Sequence, residues 1–158
     1  MKKLSRWAYV VVGVAVLLFS GMVYAWSVLS GPIAAEFPQW SQSQLSLTFT
    51  IVIACFCLGG MTGGFLSGKV SQKVYLWVSA ALFLVGFFMA SRIQSLAGLY
   101  ISFGVICGFA SGISYNGVLS TVGKWFPDKQ GLVSGILLMG FGLSSFLVGK
   151  IYQAATPD

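Results

Sequence analysis

Five long apolar runs, separated by short polar segments, constrain this chain more than any other feature of its sequence. A helix needs about 20 mainly apolar residues to cross the hydrocarbon core of a bilayer. Only 8% of the 158 residues are charged, whereas soluble domains carry about 25%. The sequence therefore predicts an all-α membrane protein embedded in the lipid bilayer. The predicted spans are about 7–31, 45–67, 74–91, 96–122 and 132–152.

The first run has the basic start of a signal peptide and small residues around Ala25. A signal peptide, however, has an apolar region of only about 7–15 residues. This run continues without a charge from Trp7 to Ala35. We therefore expect it to remain in the protein as the first membrane span.

The basic residues predict an orientation, because cytoplasmic loops are enriched in lysine and arginine. With the N-terminus in the cytoplasm, only Arg92 and Lys150 fall on the outside. We predict a multi-pass protein of the cell (inner) membrane whose C-terminus, after five spans, lies outside. Nucleic acid is not an expected partner, because the basic residues do not cluster on one surface. The basic residues then on the cytoplasmic side are Lys2, Lys3, Arg6, Lys69, Lys73, Lys124 and Lys129.

Two connections between the runs carry signals for helix ends. The pair Ser41–Gln44 forms a capping box before the second run. In the sequence KWFPDKQ, before the fifth run, Pro127 is expected to end the fourth helix. Asp128 is predicted to cap the N-terminus of the fifth helix. Trp125 and Phe126 are expected at the membrane interface.

Glycines are concentrated in the second, fourth and fifth runs, whereas the third run is bulky. Small residues let membrane helices approach closely. We therefore predict that helices 2, 4 and 5 lie in the middle of the bundle and that helix 3 faces lipid. Two stripes of glycines four residues apart either join helices or form sliding surfaces, and both interpretations stay open. The stripes are Gly60, Gly64 and Gly68, and Gly104, Gly108 and Gly112.

The predicted spans contain no aspartate, glutamate or histidine. A proton relay within the membrane would need such groups, and so would a nucleophile paired with a general base. Cys55 and Cys57 point to different sides of a helix, and Cys107 has no ligand near it in sequence. We therefore expect no enzyme, no cofactor and no metal site.

Two predicted helices each carry a small and polar face. A tyrosine deep in a membrane span needs a hydrogen-bond partner or water. The two faces either line one shared wet cavity, or their hydroxyls bond to neighbouring helix backbones. The faces consist of Gly13, Leu17, Ser20, Tyr24, Ser27 and Gly31 in the first run, and Gly104, Gly108, Ser111 and Tyr115 in the fourth, with Asn116 beside them.

Two stretches of the chain resemble the major facilitator superfamily, and within it the oxalate/formate antiporter-like branch. They are SGMVYAWSVLSGPI (Ser20–Ile33) and the stretch Gly112–Ser144, which contains KWFPDKQGLVSG. The resemblance implies the first five helices of a secondary transporter that works by alternating access between two six-helix halves. It also implies a small carboxylate substrate and a missing partner, namely helix 6 and the second transporter half.

The resemblance implies roles for particular residues. Tyr24, Tyr115 and Phe141 match positions where the branch places cavity aromatics, so they are the expected substrate-binding residues. Relatives can carry tyrosine at the position of Phe141. Basic residues from the second half would neutralise the carboxylate.

The loop between the second and third runs matches the superfamily's gating signature only in part. Gly64, Lys69 and Lys73 fit that signature, but Gly68 stands where it has an aspartate and Ser71 where it has a second glycine. The aspartate normally helps to latch the two halves on the inner side, so ordinary gating is in doubt here.

Other interpretations remain open besides a carrier. The chain is alternatively a small non-transporting membrane subunit that docks on a partner through its glycine stripes, or a non-functional truncated transporter. Self-assembly into a pore is a weaker alternative. The uneven distribution of basic residues argues against antiparallel pairing in such a pore.

Overall fold

The computed structural model describes residues 5–66 and 69–155, and this part of the chain consists of helices joined by short connections. Within it, five helices are long and apolar enough to cross a membrane. The predicted all-α membrane fold is confirmed, and each predicted span falls on one of these helices. They are α1 (Arg6–Glu36), α2 (Gln42–Leu66), α3 (Gln72–Ala90), α4 (Leu96–Trp125) and α5 (Gln130–Ala155).

Two of the helices depart from regular α-helical geometry inside the span. The backbone of α1 follows a 3₁₀ path over Gly21–Ala25, and that of α4 follows a π path over Tyr100–Cys107. Such segments within longer helices often lie at functional sites. Neither segment contains a proline, and neither was predicted from the sequence.

Local signals in the sequence set two helix ends correctly. The Gln44 amide N donates to Ser41 Oγ over 3.3 Å, and the Ser41 amide N donates to Gln44 Oε1 over 2.9 Å. This reciprocal pair is the predicted capping box at the start of α2. At the other end of the chain, α4 ends at Trp125, just before the Phe126–Pro127 pair, as the proline predicts.

The predicted roles of Asp128 and Phe126 are wrong. Because α5 begins at Gln130, Asp128 lies too early to cap it. Its Oδ1 instead accepts a hydrogen bond from Arg6 Nη1 at 3.3 Å, which joins the start of α1 to the α4–α5 connection. Phe126 is fully buried in an apolar cluster with residues such as Leu137, whereas Trp125 is half exposed. The phenyl ring therefore packs inside the protein and is not exposed to the membrane interface.

The centre of the bundle is α4. Helices α1, α2 and α3 all pack against it, and α5 packs mainly against α1. The sequence predicted that helices 2, 4 and 5 lie in the middle of the bundle and that helix 3 faces lipid. This agrees with α4, which is the most buried helix, and with α3, which is the most exposed one. Within these five helices a central position is not found for α2 and α5, which are mostly exposed, while α1 is more buried than either. Each of these two glycine-rich helices uses one face for packing and leaves the opposite face free.

The predicted glycine stripe of α4 joins two helices. A Cβ atom on Gly112 would collide with the Phe56 carbonyl of α2, and one on Gly108 would lie 2.7 Å from the Val52 carbonyl O. The backbones of α2 and α4 therefore touch, which a larger side chain would prevent. The sequence left open whether the stripes join helices or form sliding surfaces. The α4 stripe joins helices.

The glycine stripe predicted for α2 does not act as one surface. Gly59 and Gly63 contact α4, and so does Gly60, which lies against the Asn116 side chain and the Gly112 backbone. A Cβ atom on Gly64 would meet nothing within 4 Å. Gly68 lies outside the described residues, as do the last residue of the predicted second span and the basic residues Lys2 and Lys3.

Candidate functional site

Four aromatic rings, each from a different helix, meet on one side of the bundle. Tyr24 of α1 and Tyr115 of α4 lie on either side of Phe141 of α5, with ring centroids 5.2 and 5.4 Å from the centroid of Phe141. The structure thus brings together the three residues that the resemblance singles out. Phe56 of α2 completes the group, 5.5 Å from Tyr115 and 5.9 Å from Phe141.

Phe56 was not predicted as a site residue from the sequence. Nothing in the apolar pattern of α2 distinguishes this phenylalanine from Phe49 or from other large residues of the same run. Its place follows from the glycine stripe of α4, because Gly112 packs directly on the Phe56 backbone. The close approach of the two helices turns the Phe56 ring towards Tyr115.

The four rings line a cavity of about 360 Å³, which Leu138, Gly142 and Ser145 complete. No hydrogen bond joins the phenol oxygen of Tyr24 or of Tyr115 to another group in residues 5–66 and 69–155. Both tyrosines are only partly buried. This favours the shared wet cavity over hydroxyls bonded to neighbouring backbones.

A second cavity, of about 220 Å³, lies between α1 and α2. Tyr24 lines both cavities, so its ring forms a common wall. Ser27 and Ser30 of α1 and Gln42 and Ser46 of α2 give the second cavity a polar lining. The tyrosine therefore lies between an aromatic space and a hydroxyl-rich one.

Two serines of the predicted polar faces, Ser20 and Ser111, meet between α1 and α4, together with Ser114, which was not predicted. Ser111 Oγ of α4 donates to the Ser20 carbonyl of α1 over 2.8 Å, and Ser114 Oγ donates to Ser20 Oγ over 2.6 Å. Asn116 Nδ2 donates to the Gly60 carbonyl of α2 over 3.0 Å. Hydroxyl and amide side chains of α4 therefore form hydrogen bonds to α1 and to α2.

The predicted gating residues lie away from both cavities. Lys69 is exposed in the turn after α2, and Lys73 is exposed in the first turn of α3. Gly64 faces open space near the end of α2. Among the described residues, the ion pair found is Arg6–Asp128, so neither lysine is paired with an acid there.

The site carries no charge of its own. None of the side chains lining the two cavities is ionised at neutral pH. Within the described part of the chain, no group of three or more histidine, cysteine, aspartate or glutamate residues could hold a metal ion. What the site offers a ligand is aromatic edges and hydroxyl donors.

Comparison with known proteins gives one family throughout. The sequence profile of the Major Facilitator Superfamily matches residues 10–151. The chain is 30% identical over 141 residues to the oxalate:formate antiporter of Oxalobacter formigenes, covering 88% of this chain and 33% of that protein. It is 29% identical over 141 residues to the uncharacterized MFS-type transporter YhjX of Escherichia coli K12, covering 89% of this chain and 35% of that one.

A more distant match is monocarboxylate transporter 12 of mouse, which is 29% identical over 111 residues. The match covers 70% of this chain and 23% of that protein. The chain therefore spans about a third, or less, of the length of the curated relatives that it matches.

Proposed function

Because this chain belongs to the Major Facilitator Superfamily, in its oxalate/formate antiporter-like branch, we propose that it forms part of a secondary active transporter for small organic anions. The substrates would be mono- or dicarboxylates, carried by alternating access. Two relatives are named for such anions, one as an oxalate:formate antiporter and one as a monocarboxylate transporter. The superfamily consists of carriers, so the chain is assigned no enzymatic reaction.

The cavity between Tyr24, Tyr115 and Phe141 is the single observation that carries this proposal. The edges of aromatic rings are electropositive, and a phenol hydroxyl donates a hydrogen bond that is stronger when the acceptor is charged. A volume of about 360 Å³ is near the lower end of ordinary ligand pockets, which suits a small anion. The two free phenol groups support the assignment of Tyr24 and Tyr115 as direct donors to a carboxylate.

The cations that the anion needs would come from the rest of the transporter. The lining of the cavity is neutral, and removing a carboxylate from water without a cation costs several kcal/mol or more. We assign these charges to a second half that faces the exposed sides of α2 and α5. Gly142 and Ser145 of α5 line the cavity on that side.

A further helix is also part of this proposal. In the bundle, α2 packs on α4 and α5 packs on α1, which suggests that α1 and α4 occupy equivalent places. Because α3 packs on α4, the same equivalence predicts that a further helix packs on α1. An apolar groove of about 990 Å³ lies there, between α1 and α3, with Phe19 and Phe83 among its walls. A sixth helix of the full-length transporter would fill it.

The proposed orientation places the last turn of α4, with Lys124, and the α4–α5 connection, with Lys129, in the cytoplasm. The exposed lysines Lys69 and Lys73 lie on the same side in this arrangement. Positive charge on cytoplasmic loops supports it. Together with Gly64, these two lysines are the proposed remainder of the inner gating loop.

Uptake of labelled small carboxylates by the full-length gene product tests the proposal. Tyr24→Phe and Tyr115→Phe each remove one donor to a charged acceptor, worth about 1.5–3 kcal/mol, so each should raise KM by roughly 10-fold or more. Tyr9→Phe is a matched control, because Tyr9 stacks on Trp125 away from the cavity. Unchanged KM in both cavity variants would contradict the assignment of these hydroxyls.

Absence of uptake in the unmodified full-length protein would contradict transport itself. If the chain were then recovered in a stoichiometric complex with another membrane protein, it would be a non-transporting subunit. Reading the gene beyond codon 158 distinguishes a longer transporter from a truncated one.

A further inference from the structure

The 3₁₀ segment Gly21–Ala25 begins next to Ser20, the last residue of the regular helical turns that precede it in α1. In an α-helix each N–H bonds the carbonyl four residues earlier, and in a 3₁₀-helix the carbonyl three residues earlier. The Gly21 N–H still bonds the Leu17 carbonyl, so the backbone changes from the first pattern to the second at Ser20. A hydrogen bond from another helix to Ser20 therefore acts at the place where the helix geometry changes.

Ser111 of α4 supplies a donor at this place. Its Oγ donates over 2.8 Å to the carbonyl of Ser20, the last residue of α1 before the 3₁₀ segment. Ser114 Oγ donates over 2.6 Å to Ser20 Oγ, which itself donates over 2.9 Å to the Val16 carbonyl. All three serines are buried, so they form a continuous polar contact between α4 and the junction.

The other side of the segment is closed by α5. A Cβ atom on Gly21 would collide with the carbonyl of Phe141, so only glycine allows this approach. Three residues after Gly21, Tyr24 turns its ring to within 5.2 Å of the Phe141 ring. Tyr115 directly follows Ser114 in α4. The backbone geometry of this segment therefore decides where the Tyr24 ring enters the cavity.

We propose that Ser111 and Ser114 are positioning residues, which stabilise the 3₁₀ form of Gly21–Ala25 and thereby hold Tyr24 at the aromatic cavity. Neither serine lines that cavity, so both act through Tyr24 and do not touch the substrate. The consequence for substrate binding rests on the proposed function. The local effect on α1 does not depend on it.

Amide hydrogen exchange of the full-length gene product in lipid nanodiscs, followed by mass spectrometry, measures the local effect. Ser111→Ala removes the donor, and exchange of residues 21–25 should become about threefold faster, as for loss of an average interhelical hydrogen bond in a membrane protein. Ser111→Cys keeps a weak donor and should give an intermediate rate. Ser114→Ala should also accelerate exchange in residues 21–25.

Ser79→Ala is the matched control. Ser79 is also buried, and its Oγ donates across a helix interface to the Ala110 carbonyl over 2.9 Å, but this bond joins α3 to α4. The control should leave exchange of residues 21–25 unchanged. Equal acceleration in Ser79→Ala would mean general loosening of the bundle and would overturn the proposal, as would unchanged exchange in Ser111→Ala.

Uptake by the full-length gene product supplies the second readout. Ser111→Ala should raise KM for the carboxylate, and it should add little in a Tyr24→Phe background, because the hydroxyl that it positions is already gone. Full additivity of the two changes would overturn the positioning role. Faster exchange of residues 21–25 without any uptake by the unmodified protein would support the positioning role and contradict only the transport function.

Discussion

The contact between α2 and α4 gives the sharpest prediction for stability, the substitution Gly112→Ala. The added Cβ would collide with the Phe56 carbonyl and lie 2.7 Å from the Gly60 amide N. Both neighbours are backbone atoms, so no side-chain rotation relieves the collision and the two helices must separate. Overpacking costs about 1–3 kcal/mol, and a collision between backbone atoms belongs to the upper part of that range, about 2–3 kcal/mol.

The sign of the effect is opposite to that of an ordinary glycine-to-alanine change in a helix. Alanine favours the helix over glycine by about 1 kcal/mol. A Cβ on Gly135 of α5 would meet nothing within 4 Å, so Gly135→Ala should gain that amount. For Gly112→Ala the backbone collision outweighs the gain, and we expect a net loss of about 1–2 kcal/mol.

Reversible unfolding in mixed micelles, with the denaturing detergent SDS as the variable, measures both changes in the 158-residue chain. The two variants should differ by about 2–3 kcal/mol in the free energy of unfolding. If Gly112→Ala were as stable as the unmodified chain, or more stable, the backbone contact between α2 and α4 would be refuted. A loss in Gly135→Ala would instead show that this face of α5 is covered.

Two further predictions concern the α4–α5 connection. Phe126→Ala should lower the free energy of unfolding by about 3–5 kcal/mol, since the ring is fully buried. The neighbouring Trp125 is half exposed, so Trp125→Ala should lower it clearly less in the same SDS titration. Equal losses in the two variants would contradict the assigned burial. The orientation is tested by labelling single cysteines with a membrane-impermeant maleimide, in a chain whose native cysteines are replaced by serine. Lys129→Cys should react only from the cytoplasmic side, and Arg92→Cys only from the opposite side. The reverse labelling pattern would contradict the proposed orientation.

The sequence by itself determined where the membrane helices lie and where some of them end. A span must satisfy its own backbone hydrogen bonds, so length and hydropathy suffice to find it. The capping box at Ser41–Gln44 and the stop before Pro127 depend on neighbours within a few residues. The α4 stripe from Gly104 to Gly112 was also visible, because flat surfaces recur at helical spacing. Tyr24, Tyr115 and Phe141 came from family resemblance.

Only the tertiary structure decided which faces of the helices meet. Phe126 was expected at the interface and is in the core, and Asp128 pairs with Arg6, 122 residues away in sequence. Phe56 entered the site through the packing of its backbone on Gly112. The physical reason is common to these cases: lipid tails are as apolar as leucine, so hydropathy does not distinguish a face that meets lipid from one that meets protein. Contacts between residues far apart in sequence make that distinction, and they exist only in the folded bundle.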